Sequence, residues 1–210
     1  MSRTSSAPES ATAALRTAVL EWYARHGRDL PWRDPACSAW GIYLSEVMSQ
    51  QTPVARVQPV WERWLERWPA PADLAADSPG EAVRMWDRLG YPRRALRLHE
   101  SAAAMVERHG GEVPSDHDDL LALPGVGAYT AAAVASFAFG DPRTVVDTNV
   151  RRVLARAVTG EQHAAPSLTV AESRLAERSM PEDADEANAW NAAVMELGAL
   201  VCTARAPRCD

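Results

Sequence analysis

Apolar residues recur at the spacing of α-helices along most of this chain, and no two segments alternate apolar and polar residues as paired β-strands do. In residues 39–51, for example, one face of the predicted helix carries Trp40, Tyr43, Leu44, Val47 and Met48. Further helices, separated by proline or glycine, are predicted at 11–25, 54–68, 79–89, 92–109, 116–122, 128–139, from about 147, and at 184–201. We therefore expect an all-α fold.

The charge of the chain is unevenly distributed. The net charge is −6, which at first argues against a nucleic-acid partner. Residues 161–200 hold eight acidic residues and two arginines, so the rest of the chain is nearly neutral. Charge therefore neither supports nor excludes binding to DNA. No apolar run is long enough to cross a bilayer, so we expect a cytoplasmic protein with no membrane partner.

All 22 basic residues are arginines, and the sequence contains no lysine. A lysine amine is the usual nucleophile of enzymes that form a Schiff base with a sugar aldehyde. Composition therefore excludes a strand-cutting enzyme that works through such a lysine.

The segment LLALPGVGAYTAAAVASFAF at 120–139 predicts two helices joined by a turn that contains Gly125 and Gly127. Glycine permits unusual backbone angles and close approach of a ligand, and the amides that begin the second helix can hold a DNA phosphate. A plain helix–helix turn fits the same pattern. So does a protein that binds phosphates without carrying out chemistry.

Two carboxylates are candidates for catalysis. Asp147, in the segment 144–156, follows two valines at the head of a predicted helix, where an aspartate is most often an N-cap. Glu46 lies beside the apolar face of its helix, on the strip that also carries Tyr43 and Gln50. Glu46 therefore lies either at the rim of a core or in a pocket, where burial would raise its pKa and allow it to donate a proton.

Six motifs follow one another along the chain in the order LPWR, SEVMSQQT, LGYPRRA, LPGVGAYTA, VVDTNV and MELGALVC. Over residues 12–209 they closely resemble the A/G-mismatch adenine DNA glycosylase (MutY) family of the helix-hairpin-helix, endonuclease III-like superfamily. The resemblance implies two helical domains with a DNA-binding cleft between them. The first is a barrel domain at 31–141 with its hairpin at about 116–139, and the second is an iron–sulfur-type domain made of 1–30 and 142–210. It also implies a monomer that binds double-stranded DNA containing a mismatched adenine.

The resemblance assigns the catalytic roles. Glu46 would be the general acid that protonates N7 of an adenine flipped out of the duplex, and Asp147 would stabilise the sugar cation at C1′ or attack it transiently. Tyr129 occupies the position of the nucleophilic lysine in related bifunctional enzymes, which implies base removal without strand cutting. Asn149 would support Asp147 and the attacking water.

The resemblance also places Arg28, Leu30 and Trp32 in the adenine pocket, although packing in the core is an alternative for Leu30 and Trp32. The family commonly has glutamate or glutamine at the position of Ala192, where it makes a hydrogen bond to adenine. Because alanine cannot make that bond, a sister enzyme that removes thymine from T/G mismatches remains an alternative.

Further DNA contacts are implied in two loops. Gln51 and Tyr91 match residues that wedge into the duplex near the mismatch. Thr52 lies near the position that faces the opposite guanine, and Gln50 is assigned to DNA with them.

Cys202 and Cys209 match two of the four thiolate ligands of a [4Fe–4S] cluster, whereas Cys37, in the LPWR loop, matches none. We therefore expect a chain truncated at its C-terminus, without the separate domain that reads 8-oxoguanine. We also expect that the chain made by itself assembles no stable cluster and binds DNA weakly. A catalytically impaired DNA-binding fragment is the third interpretation.

Overall fold

The computed structural model describes residues 7–209, with side chains from Thr12 onward. No β-strand occurs among these residues, which confirms the all-α expectation. A 3₁₀-helix spans Pro31–Arg33 and a π-helix spans Ala155–Thr159. The α-helices are α1 (Ala7–His26), α2 (Ala39–Met48), α3 (Val54–Arg67), α4 (Pro71–Ala76), α5 (Pro79–Met85), α6 (Arg93–His109), α7 (His117–Leu121), α8 (Ala128–Phe139), α9 (Thr148–Leu154), α10 (Val170–Ser179) and α11 (Ala184–Leu200).

Two helices were not predicted from periodicity. The short α4 begins at Pro71, whose fixed φ suits the first turn of a helix. The helix α10 starts with a capping box, in which Thr169 and Glu172 each accept from the other's backbone amide. Both helices bury few residues, so they leave little apolar pattern in the sequence.

Two other helices end earlier than predicted. The helix α2 stops at Met48 rather than Gln51, and Gln51 has a φ of 54°. The helix α5 stops at Met85 rather than at 89, and Asp87 has a φ of 52°. A positive φ does not fit a right-handed helix, so each of these residues lies in an irregular loop.

The chain divides into two compact units. Unit 1 comprises the chain up to Arg28 together with Gly140 onward, and unit 2 comprises Asp29–Phe139. The domain prediction also covers residues 1–6 and Asp210, which lie outside the described residues.

The core of unit 2 is built around tryptophan. Trp64 packs edge-on against Trp68 and Trp86, with ring centroids 4.9 and 5.5 Å apart. The indole N–H of Trp64 donates to the carbonyl of Met85, that of Trp68 to the carboxylate of Asp77, and that of Trp86 to the carbonyl of Gly90. Burial of these large side chains therefore leaves none of the three donors without a partner. Around this core, α2 packs against α3 and α8, and α4 packs against α6.

The core of unit 1 joins helices that are distant in sequence. Val19 of α1, Val150 and Leu154 of α9, and Trp190 and Val194 of α11 are all nearly inaccessible to solvent. In this unit α11 packs against both α1 and α9. The start of α9, where Asp147 lies, is thereby fixed on α11.

No helix among residues 7–209 combines the length and the apolar character that crossing a bilayer requires.

Candidate active site

Glu46 of unit 2 is held on α2 and touches α8. Ser38 caps α2 by accepting from the amide of Gly41. Glu46 itself is half-buried, and its Oε2 accepts a hydrogen bond of 3.1 Å from the phenol of Tyr129. The small buried side chains of α8, such as Ala131 and Ala135, let the two helices approach closely. Glu46 is thus a carboxyl group at the edge of the core, oriented by a phenol.

Asp147 of unit 1 is the N-cap of α9, as the sequence predicted. Its Oδ1 accepts from the amide of Val150 at 2.7 Å, and its Oδ2 accepts from Nδ2 of Asn149 at 2.7 Å. Burial raises the pKa of Asp147 above its ordinary value, and these hydrogen bonds act in the opposite direction. The result is a half-buried carboxylate with both oxygens held in place, which suits it to face a positive charge.

The amide of Asn149 is itself fixed by α11. Nη2 of Arg152 donates to Oδ1 of Asn149 and to the carbonyl of Gly198, each at 2.7 Å, and Nε donates to the carbonyl of Cys202 at 2.6 Å. Because Oδ1 accepts from Arg152, the Nδ2 of Asn149 is the atom directed at Asp147. No role for Arg152 at this site was predicted from the sequence.

Asn191 holds the segment that leads into Asp147. It is buried on α11, where Oδ1 accepts from the amide of Val145 and Nδ2 donates to the carbonyl of Arg143. In the sequence, the signal for this role was an asparagine that stands among apolar residues of a predicted helix. Together with Arg152, Asn191 makes α11 the support on which the candidate carboxylate rests.

The hairpin consists of α7, the turn and α8. Gly125 has a φ of 79°, and a Cβ there would lie 2.8 Å from Cβ of Arg97 on α6. Both the backbone angle and the lack of space for a side chain therefore require glycine at this position. Gly127 does not have a positive φ and has open space around it. The unusual backbone angle that glycine permits is thus adopted at Gly125, and Gly127 has no positive φ.

The predicted wedge residues both lie at exposed positions in loops. Gln51 has a φ of 54°, and Tyr91 has a φ of 49° with 64% of its surface exposed. Gln50 is half-buried and donates from Nε2 to Thr130. Thr52 is buried, and its hydroxyl donates to the carbonyls of Gln50 and Leu89. The structure thus uses the Thr52 side chain inside the protein, as part of the loop scaffold.

The residues assigned to an adenine pocket have partners within their own units. In unit 1, Arg28 makes a two-pronged ion pair with Glu196 of α11, at 2.6 and 2.8 Å, and this hydrogen bonding raises the pKa of Arg28. Glu196 is 1% exposed and was not identified from the sequence, although it interrupts an apolar helix. In unit 2, Leu30 is buried, in line with the core alternative, and Trp32 packs edge-on against Trp61.

The thiols do not form a cluster site in the described part of the chain. Cys202 is half-buried, with Sγ 3.5 Å from Nη1 of Arg156, and Cys209 is exposed. Arg156 also donates to the carbonyls of Thr203 and Ala204. Residues 7–209 contain no group of three or more His, Cys, Asp or Glu side chains arranged to bind a metal. Two thiols do not fit a four-thiolate [4Fe–4S] cluster.

The chain matches the family described as HhH-GPD superfamily base excision DNA repair protein over residues 44–178. Adenine DNA glycosylase of Mycolicibacterium smegmatis is 53% identical over 191 residues, which are 91% of this chain and 64% of that relative. The chain thus spans less than two thirds of the length of this relative. The similarity confirms the resemblance that the six motifs predicted.

Solved structures show the same fold. A thermostable thymine-DNA glycosylase superposes with a TM-score of 0.86 at 27% identity, covering 97% of this chain and 93% of the other. An endonuclease III in a non-covalent complex with DNA gives a TM-score of 0.81 at 26% identity, covering 96% and 90%. The chain belongs to the HhH-GPD superfamily of base excision DNA repair proteins.

Proposed function

We propose that this chain is a monofunctional DNA glycosylase of base excision repair, which hydrolyses the N-glycosidic bond of adenine mispaired with 8-oxoguanine or guanine. The observation that carries the proposal is the Asp147 carboxylate, half-buried and held by Val150 and Asn149. The name of the mycobacterial relative supports adenine as the base.

Removal of adenine needs both an acid and an anion, because the adenine anion is a poor leaving group and C1′ becomes positively charged as the bond breaks. Glu46 donates its proton to N7, so adenine leaves as a neutral base. The Tyr129 phenol supports this role by orienting the Glu46 carboxyl group through the hydrogen bond that it donates to Oε2. Asp147 stabilises the sugar cation, and water then adds to C1′ and loses a proton. The products are free adenine and an intact strand with an abasic site.

Tyr129 also limits the reaction to base removal. A phenol cannot form a Schiff base with the abasic sugar, and the chain has no lysine that could replace it. DNA is bound through the hairpin, where backbone amides beyond Gly125 and Gly127 hold a phosphate. Gln51 and Tyr91 insert into the duplex beside the mismatch, where unstacking costs less than in paired DNA.

A second candidate is a thymine glycosylase that acts on T/G mismatches. Ala192, half-buried on α11, offers no side-chain hydrogen bond to adenine. The superposition on a thymine-DNA glycosylase is in line with this alternative.

Single-turnover reactions of the 210-residue chain with three duplexes test the proposal. The duplexes contain A opposite 8-oxoguanine, A opposite G, and T opposite G, and the released base is identified by chromatography. We expect release of adenine from the first two. Release of thymine from the third duplex in place of adenine would support the sister enzyme, and release of neither base, with DNA binding retained, would support an impaired fragment.

The role of Asp147 is tested with Asp147→Asn, which keeps the shape but removes the charge. We expect a loss of about a hundredfold or more in rate with binding to mismatched DNA retained. Asp183→Asn is the matched control, because Asp183 is also a helix N-cap of unit 1, accepting from the amide of Glu186. Equal rates for the two variants would show that Asp147 is a structural cap only.

A further inference from the structure

Two loops of unit 2 expose a residue in the left-handed region of backbone conformation. Residues 49–53 carry Gln51, and residues 87–92 carry Tyr91. A non-glycine residue with this φ is strained, and it persists only where the surroundings hold it. The contacts that hold these two loops therefore decide what surface they present.

One guanidinium group binds both loops. Nη1 of Arg94 donates to the carbonyls of Val47, Met48 and Gln50 at 3.0, 3.0 and 2.6 Å, which covers the end of α2 and the start of the first loop. Nη2 donates to the carbonyl of Gly90 at 3.1 Å in the second loop. The guanidinium group thus binds backbone carbonyls of both loops.

Thr52 links the same loops at a second point. Its hydroxyl oxygen accepts from Nη2 of Arg94 at 3.0 Å and donates to the carbonyl of Leu89 at 3.2 Å. Thr52 is buried, whereas Gln51 and Tyr91, in the same two loops, are exposed. Arg94 and Thr52 therefore form one connected hydrogen-bond network that joins the two loops.

The guanidinium also contacts aromatic rings. Its Cζ lies 5.1 Å from the ring centroid of Trp86 and 5.6 Å from that of Tyr91. Trp86 is buried and its indole N–H donates to the carbonyl of Gly90, so it is a rigid base for Arg94. The exposed ring of Tyr91 thereby contacts the same group that holds the carbonyl of Gly90, the preceding residue.

We propose that Arg94 is a positioning residue that holds Gln51 and Tyr91 as a single preformed wedge, so that both side chains enter the duplex together. The inference rests on the proposed function, in which these two residues insert beside the mismatch. Lysine cannot replace Arg94 in this role, because one ammonium group does not span the two sets of acceptors as a planar fork does.

The test measures unstacking of DNA and does not depend on catalysis. The full 210-residue chain carrying Asp147→Asn is titrated with a duplex in which 2-aminopurine is the 5′ neighbour of an adenine opposite 8-oxoguanine. Insertion of the wedge unstacks the probe and raises its fluorescence. We expect a clear rise at saturation with Arg94 present, and loss of most of that rise in Arg94→Lys, Arg94→Met and Tyr91→Ala.

Arg93→Lys and Arg93→Met are the matched controls, since Arg93 is the exposed neighbour on the same helix. These controls should keep the fluorescence rise, even where the salt dependence of binding changes. In a chain with Asp147 intact, Arg94→Lys should also lower the single-turnover rate up to about a hundredfold, as expected when a reacting group is misplaced. Thr52→Val, which removes one contact of the network, should give a smaller loss of both signals and serves if the Arg94 variants do not fold.

A full fluorescence rise in Arg94→Lys and Arg94→Met, with folding verified by circular dichroism, would overturn the inference. If no adenine is released by the wild-type chain but the fluorescence rise still depends on Arg94, the proposed function fails and the inference stands. If adenine is released and the rise does not depend on Arg94, the inference fails and the proposed function stands.

Discussion

The contact between α9 and α11 makes Gly198→Ala a sharp test of how Asp147 is positioned. A Cβ built at Gly198 would lie 2.6 Å from Cβ of Asn149 and 3.0 Å from both its Cα and its carbonyl oxygen. Rotation of a side chain cannot relieve contacts with these atoms. The added methyl group must therefore push the first turn of α9 away from α11, and Asp147 moves with it.

The structure sets the size of the effect. The shortest contact falls about 0.8 Å short of the 3.4 Å at which ordinary van der Waals contact begins. Overpacking of this kind costs about 1–3 kcal/mol, and the change from glycine to alanine within a helix returns about 0.5–1 kcal/mol. The free energy of unfolding should thus fall by up to about 2.5 kcal/mol. A displacement of Asp147 of about 1 Å would lower the rate of base release up to about a hundredfold.

Thermal unfolding and single-turnover kinetics on the A opposite 8-oxoguanine duplex measure the two effects. Gly80→Ala is the matched control, because Gly80 lies in α5 and its nearest neighbour to a new Cβ is 3.7 Å away. That variant should be as stable as the wild type or more stable, and fully active. If Gly198→Ala matches Gly80→Ala in both Tm and rate, the close packing of α11 on Asn149 does not position Asp147.

Three further predictions concern buried charge. Burial raises the pKa of Asp147, so ionisation of this carboxyl group lowers the stability of the fold as the pH rises through that pKa. The Tm of Asp147→Asn should therefore exceed that of the wild type by an amount that grows from acidic to neutral pH. A constant difference in Tm would contradict this prediction. The wild-type rate should correspondingly start to fall on acidification above the ordinary aspartate value of 3.8, and a rate that holds down to that value would count against Asp147 as the anion. Arg28→Met leaves Glu196 charged in a buried site and should lower the free energy of unfolding, measured with denaturant, by about 3–5 kcal/mol. Arg28→Met combined with Glu196→Gln should recover much of that loss. Equal stability of the single and the double variant would mean that the ion pair does not determine the stability at this site.

Local patterns in the sequence were enough to place α2, the hairpin and the cap at Asp147. Each depends on residues within one or two turns of each other, where apolar spacing and capping preferences act. Asp147 was predicted as an N-cap on its position before α9, and the structure confirms that cap. Its catalytic role, by contrast, comes from the resemblance and stays a proposal.

The supporting residues were missed for a physical reason. Arg94 donates to carbonyls up to 47 residues away, and Glu196 pairs with Arg28 across 168 residues. Backbone carbonyls are the same in every residue, so no pattern of side chains marks them as acceptors for a distant arginine. The burial of Thr52 was missed similarly, because the fold of two separate loops around Arg94 creates it.

Three arginines, Arg94, Arg152 and Arg156, donate mostly to backbone carbonyls and seldom to side chains. Arg94 does so in loops 49–53 and 87–92, Arg152 does so at Gly198 and Cys202, and Arg156 does so at Thr203 and Ala204. A carbonyl acceptor survives replacement of the residue that carries it. Loop shape in this protein is thereby separated from loop sequence, so substitutions at exposed loop positions can change the side chains that the loops present while the backbone keeps its form.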